Sequence, residues 1–195
     1  MTDRLTQQLD FIVRMDALKQ VFRQTVLPGD RRPENDAEHS WHLALMAMIL
    51  REYAAGDVDV PRVMSMHLIH DLVEIHAGDT FAYDEAGHAD KEERERAAAD
   101  RIFALLPADQ GADLRALWDE FEARETVDAR YAAALDRLQP LLLNYHTDGT
   151  AWKKHGVRHA QVVARNQHIE EGAPALWAFA RQLIDAARDE GKLDA

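Results

Sequence analysis

The sequence predicts an all-α bundle of roughly seven helices, formed as one domain over residues 1–195. Three observations carry that prediction. Apolar residues recur every three or four positions along most of the chain, Gly and Pro punctuate those runs, and no segment alternates in the manner of a strand. A chain of 195 residues suits one compact unit with a substantial core, and no shift in composition marks a boundary.

Leu5, Leu9, Ile12, Met15, Leu18 and Phe22 place a first amphipathic helix before Pro28-Gly29, after which Asp30 to Pro33 reads as a loop. Asn35 or Asp36 caps a second helix, with Glu38 set as in a capping box and an apolar body, Leu43 to Leu50, that ends at Gly56. Pro61 suits the first turn of a third helix carrying Val63, Met66, Ile69, Leu72 and Val73 up to Gly78. Residues 79–89 read as loop. The pairs Lys91/Glu95 and Glu92/Arg96, four apart, predict a helix with a solvated charged face. Leu114, Leu117, Trp118 and Phe121 mark another helix and Tyr131 to Leu143 a further one. Val157 to about Gly191 supplies one or two more, broken near Gly172 to Pro174.

The charge balance narrows the function. With 23 basic and 35 acidic residues the net charge is −12, which disfavours a nucleic-acid polymer or an anionic membrane as partner. There is no cysteine, so disulfides, thiolate metal sites and cysteine nucleophiles are excluded and any metal site must use His and carboxylates. The first residues lack an apolar signal core, and the Leu43–Leu50 stretch is too short to span a bilayer, so a cytoplasmic location is expected.

The chemistry concentrates on the third helix. His67, His70, Asp71 and Glu74 fall at i, i+3, i+4 and i+7, a polar stripe flanked by Leu68, Ile69, Leu72 and Val73. So narrow a stripe points ionisable groups into the interior, where they need partners, and a divalent cation is one such partner. Asp136 poses the same problem among Ala132, Ala133, Ala134, Leu135 and Leu138, and Pro140 removes the helical donor to its carbonyl. Trp41 is expected in the core. Trp152 sits in a polar, aromatic and locally basic loop from Asn144 to His155.

These residues carry a resemblance. Glu38-His39-Ser40, His70-Asp71-Leu72-Val73-Glu74, Gly78-Asp79 and an isolated Asp136 resemble, in that order, the signature of the HD-domain metal-dependent phosphohydrolases. Arg32-Pro33-Glu34-Asn35-Asp36-Ala37-Glu38-His39, Leu105-Leu106-Pro107, Leu117-Trp118-Asp119-Glu120-Phe121-Glu122 and Ala134-Leu135-Asp136 narrow the likeness to the HD-domain 5′-deoxynucleotidase group. It spans residues 8–145, with residues 157–191 completing the bundle.

The resemblance implies His39, His70, Asp71 and Asp136 as ligands of one divalent ion, a mixed nitrogen and oxygen set that suits Mn²⁺, Co²⁺, Fe²⁺, Zn²⁺ or Mg²⁺. It gives Glu74 and Asp79 the proton of the attacking water, or, with Thr80, a second ion. The implied activity is hydrolysis of a small phosphorylated substrate, a nucleoside 5′-monophosphate and by preference a deoxyribonucleotide, in a homodimer. Another phosphate ester, a cyclic or polyphosphorylated nucleotide, or a non-catalytic metal-stabilised module are the alternatives, and Glu74 and Asp79 count against the last because a structural ion needs neither. Phosphate recognition needs cations, and Lys19, Arg23, Arg31, Arg32, Lys153 and Lys154 are the candidates. The family's phosphate-binding arginine aligns near Gln20, a departure for which Lys19 or Arg23 can substitute. A di-iron oxidase would need paired helical Glu-x-x-His elements, and the only such spacing, Glu85 to His88, lies in the predicted loop.

Overall fold

Helix α1 (Arg4–Met15) begins a computed structural model that describes residues 3–84, 87 and 89–195; the Glu85/His88 pair lies outside them. Leu18 continues the predicted helix only as part of a 3₁₀ turn, Asp16–Gln20, which buries it. Phe22 departs from the prediction altogether. It opens strand β1 (Phe22–Val26), which pairs antiparallel with β2 (Pro33–Asn35), with Phe22 opposite Asn35 and Val26 opposite Pro33. The helical spacing of Phe22 is coincidental to a run, Val21 to Val26, rich in the β-branched residues that suit a strand. The predicted loop is the tip of this hairpin, closed by the Leu27 amide donating to the Arg32 carbonyl at 2.9 Å.

Helix α2 (Asp36–Ile49) follows with Asn35 as its cap and a complete Asn35/Glu38 capping box. The third predicted helix is divided into α3 (Val60–Ile69), a 3₁₀ turn (His70–Val73) and α4 (Glu74–Ala77), ended by Gly78 at φ +77°. The division has a local cause. His70 Nδ1 donates to the His67 carbonyl at 2.8 Å, the acceptor that a continuous α-helix would reserve for the residue 71 amide.

Helices α5 (Lys91–Phe103), α6 (Ala108–Ala123) and α7 (Val127–His146) come next, then α8 (Thr150–Lys154), α9 (His159–Asn166), α10 (Ile169–Gly172) and α11 (Pro174–Asp189). Of the two predicted pairs on α5, Glu92/Arg96 is solvated, whereas Glu95 is buried and takes half-buried Lys91 as its partner at 2.8 Å. Helix α7 runs through Pro140 and packs against α2, α3, α6, α10 and α11, with Tyr131, Leu135 and Leu138 fully buried. Gly172 allows the closest of these approaches, since a Cβ there would lie 2.1 Å from the Arg130 carbonyl oxygen. The bundle is all-α apart from its one hairpin, and the additional short helices exceed the predicted number. Among the described residues no helix is long and apolar enough to cross a membrane.

Candidate metal centre

His39 lies one turn into α2, fully buried, and its two ring nitrogens face α7. Nε2 is 3.0 Å from Asp136 Oδ1 and Nδ1 is 3.1 Å from Gln139 Oε1. Gln139 in turn donates from Nε2 to Glu34 Oε1 at 2.6 Å, so the amide is oriented and its oxygen must accept from His39 Nδ1. His70 is set in the same way. Its Nδ1 is spent on the His67 carbonyl, and its own carbonyl accepts from Trp118 Nε1 at 3.1 Å. Its Nε2 is buried without a hydrogen bond, 3.1 Å from Asp71 Oδ1 and 3.9 Å from Asp136 Oδ1. Asp71 Oδ2 is 4.0 Å from His39 Nε2.

Thus α2, the 3₁₀ turn and α7 bring all four ligand candidates together. The donor atoms of His39, His70 and Asp136 lie within 4.8 Å of one another. Both imidazoles are locked by a partner on Nδ1, the arrangement that leaves Nε2 for a metal. The orphaned His70 Nε2 is the observation that a divalent cation answers, and two nitrogens with two carboxylates fit it chemically. Against burial and the Arg23 charge, hydrogen bonds to Asp136 and Glu34 raise the His39 imidazole to about 9. His67 is buried beside the site with neither nitrogen partnered, and burial pushes its pKa well down, so it packs as a neutral ring against His70 and Phe121.

A second acidic group, Asp36, Asp71 and Glu74, has carboxylate oxygens within the same 4.8 Å limit. Asp36 escaped the sequence reading, which treated it as a cap. The signal was its position three residues before His39, which puts both on one face of α2. Burial and the Asp71 charge push Asp36 up to about 7, and burial with Asp71, Asp36 and Asp79 pushes Glu74 well above the carboxylate range. Arg23 compensates. Delivered by β1, its Nη1 stands 3.1 Å from Asp71 Oδ2 and 3.3 Å from Asp36 Oδ1, with Nε 3.7 Å from Glu34 Oε2. That guanidinium already supplies the positive charge which a second ion at this group would bring.

A cavity of about 120 Å³ opens onto the centre, lined by Arg23, His70, Asp71, Glu74, Asp79 and Asp136 with Thr80 and the rings of Phe81, Tyr83, Phe121 and Trp152. Burial, partly offset by Arg23, raises the Asp79 carboxyl. Thr80 Oγ1 accepts from Arg94 Nη2 at 3.2 Å. The remaining cation candidates do not line this cavity. Lys19 is exposed and paired with Asp16, Arg32 holds Glu38 at the start of α2, Lys154 donates to Gln24 at 2.9 Å, Lys153 is exposed, and Arg31 pairs with Asp148 at 2.8 Å. Gln20 is exposed as well, three residues before the arginine that does reach the site. Trp41, expected in the core, is 64% exposed, whereas Trp152 is buried at the cavity wall.

Two histidines and two aspartates gathered from three helical elements define a helical-bundle protein with the donor set of a divalent metal centre. The HD domain model matches residues 15–177, and the chain belongs to that family. The 5′-deoxynucleotidase HDDC2 of Homo sapiens and that of Mus musculus are each 30% identical over 135 residues, 69% of this chain and 65% and 66% of theirs. The chain therefore spans a little under two thirds of the length of these curated relatives. Among solved structures, the Predicted metal-dependent phosphohydrolase of Magnetospirillum magnetotacticum MS-1 is 57% identical with a TM-score of 0.94, covering 98% of this chain and 96% of that one. A conserved hypothetical protein from Pyrococcus furiosus, 21% identical with a TM-score of 0.65 over 93% of this chain and 99% of that one, shares the fold alone.

Proposed function

We propose that this protein is a metal-dependent phosphomonoesterase that hydrolyses nucleoside 5′-monophosphates, with deoxyribonucleotides as its preferred class. The observation that carries the proposal is the clustering of His39, His70, Asp71 and Asp136 beside a cavity whose wall includes the last three and Glu74. The relatives named as 5′-deoxynucleotidases support the substrate class. The four residues hold one divalent cation. When bound, such an ion polarises the phosphoryl group and lowers the pKa of a water beside it.

The chain's own residues do the rest. Glu74 Oε2 is buried without a partner at the cavity wall, placed to take the proton of the attacking water once the carboxyl is ionised. Asp79 stands at the same wall as the alternative proton acceptor, with Thr80 beside it. Arg23 holds Asp71 and Asp36 by charge and keeps the acidic group from repelling an incoming phosphate. The rings of Phe81, Tyr83, Phe121 and Trp152 limit water in the cavity and offer faces for the nucleoside.

The test is phosphate release from a panel of 5′-mononucleotides and non-nucleotide phosphate esters with metal-loaded protein. Deoxyribonucleoside monophosphates are expected to be cleaved best. Cleavage of some other ester with no release from any mononucleotide would overturn the nucleotide assignment and leave the metal centre standing.

The homodimer belongs to the same proposal. Leu9, Ile12 and Val13 of α1 and Trp41, Met48 and Ile49 of α2 are each more than half exposed, an apolar display that a monomer would leave to water. Sedimentation is expected to show a dimer that Trp41→Glu weakens; a monomer at all micromolar concentrations would end that reading.

A further inference from the structure

Three arginines that the sequence reading passed over line the wall of the metal cavity. Arg124 ends α6, Arg137 follows Asp136 on α7, and Arg165 comes from α9; all three also line an adjoining opening beside Trp118 and Glu122. Guanidinium groups this close need anions. In each of the three the Nε atom is buried and has no hydrogen-bond partner.

Their neighbours supply only part of the missing charge. Arg137 reaches a single carboxylate, Asp136 Oδ2 at 3.4 Å, which is a metal-ligand candidate. Among the described residues the one side-chain hydrogen-bond contact of Arg124 is with His168, Nη1 to Nε2 at 3.5 Å, and Glu122 acts on it through charge alone. Burial and the Arg137 and Arg124 charges push His168 down to about 4, so it accepts as a neutral ring. Arg165 makes no hydrogen bond and no ion pair among the described residues, and burial with the Arg137 charge lowers its pKa to about 10. Glu95 is taken by Lys91, and Glu122 forms no ion pair among the described residues. Arg124 further holds a left-handed backbone, φ +55°, at a helix end where glycine is the unstrained choice. The fold therefore tolerates repulsion, unmet donors and a strained residue at one point on its cavity wall.

We propose that Arg124, Arg137 and Arg165 form a phosphate-binding subsite next to the metal centre. Three guanidinium forks arriving from three helical elements suit a tetrahedral dianion, whose oxygens satisfy the buried donors and whose charge offsets the repulsion. The phosphate has two sources in the chemistry of this cavity: the group being hydrolysed, or a second phosphate on a substrate that carries two. The assignment to catalysis rests on the phosphohydrolase reading above, whereas the binding of phosphate does not.

The experiment uses metal-loaded protein and inorganic phosphate as probe, in wild type, Arg165→Gln, Arg165→Lys and Arg124→Gln, with metal content measured in each. Loss of one charge-assisted contact is expected to raise the phosphate dissociation constant about 10- to 100-fold. Metal content should hold, and Arg165→Gln should melt higher than wild type without phosphate because one unpaired buried charge is gone. Arg165→Lys keeps a charge but not the fork and should fall between. Phosphate affinity within about twofold of wild type in both Arg165→Gln and Arg124→Gln would overturn the subsite. A parallel drop in kcat/KM for a 5′-mononucleotide identifies the reacting group as the occupant. A drop confined to a 3′,5′-bisphosphorylated nucleoside identifies the second phosphate. A wild type that binds phosphate through these arginines yet cleaves no nucleotide would sink the nucleotidase reading alone.

Discussion

Replacement of His70 by alanine is expected to bring the metal content of the purified protein close to background and to lower its melting temperature to that of chelator-treated wild type. His70 Nε2 is the one donor of the set that is buried with no hydrogen bond, so no other contact competes for it as a ligand. Metal bound to the native state adds to folding stability, and the two losses should appear together. Gln139→Leu offers the graded comparison. It keeps all four ligands but removes the acceptor on His39 Nδ1, and losses of such an orienting partner typically cost about 10- to 100-fold in metal affinity. Elemental analysis decides both: full occupancy in His70→Ala would remove that residue from the site.

Much of the candidate metal centre was legible because its parts are local in sequence. His70-Asp71 and Glu74 lie within one stretch, and His39 follows a capping box that the residues announce. Asp136 was legible for another reason, as a carboxylate among alanines and leucines that could not remain unpaired. The hairpin was not legible, since Phe22 fell at helical spacing and strand pairing depends on a partner thirteen residues away at Asn35. The error mattered for function, because it is the strand that carries Arg23 into the acidic group. The break at His70 also lay beyond periodicity: it turns on one side-chain hydrogen bond that competes with the backbone. Asp36, Gln139 and the three arginines were hidden because their roles depend on what faces them across the bundle. An arginine after a helix end, such as Arg124, gives the same sequence signal as a solvated one.

Glu74→Gln should separate the reaction from the scaffold. The substitution preserves size and hydrogen-bonding capacity while removing the charge and the basic lone pair, so metal content should match wild type. Loss of a general base typically costs ~10²–10⁴-fold in rate, and phosphate release should fall by that order. The acidic group adds a signature independent of turnover. A buried carboxyl whose pKa is raised by folding holds its proton more tightly in the folded state, so its burial costs stability as pH rises from the unfolded pKa through the folded one. For Asp36 that window runs from the ordinary 3.8 to about 7, and metal-free wild type should lose melting temperature across it. Glu74 is itself raised well above the carboxylate range by burial and the Asp71, Asp36 and Asp79 charges, so Glu74→Gln removes its share of that pH-dependent cost. The metal-free variant is expected to melt higher than wild type at pH 7 and to show a shallower slope. Turnover near the wild-type value, with that stability change present, would place the proton on Asp79 instead; turnover and pH slope both unchanged would mean that Glu74 neither accepts the proton nor strains the cluster in which it is buried.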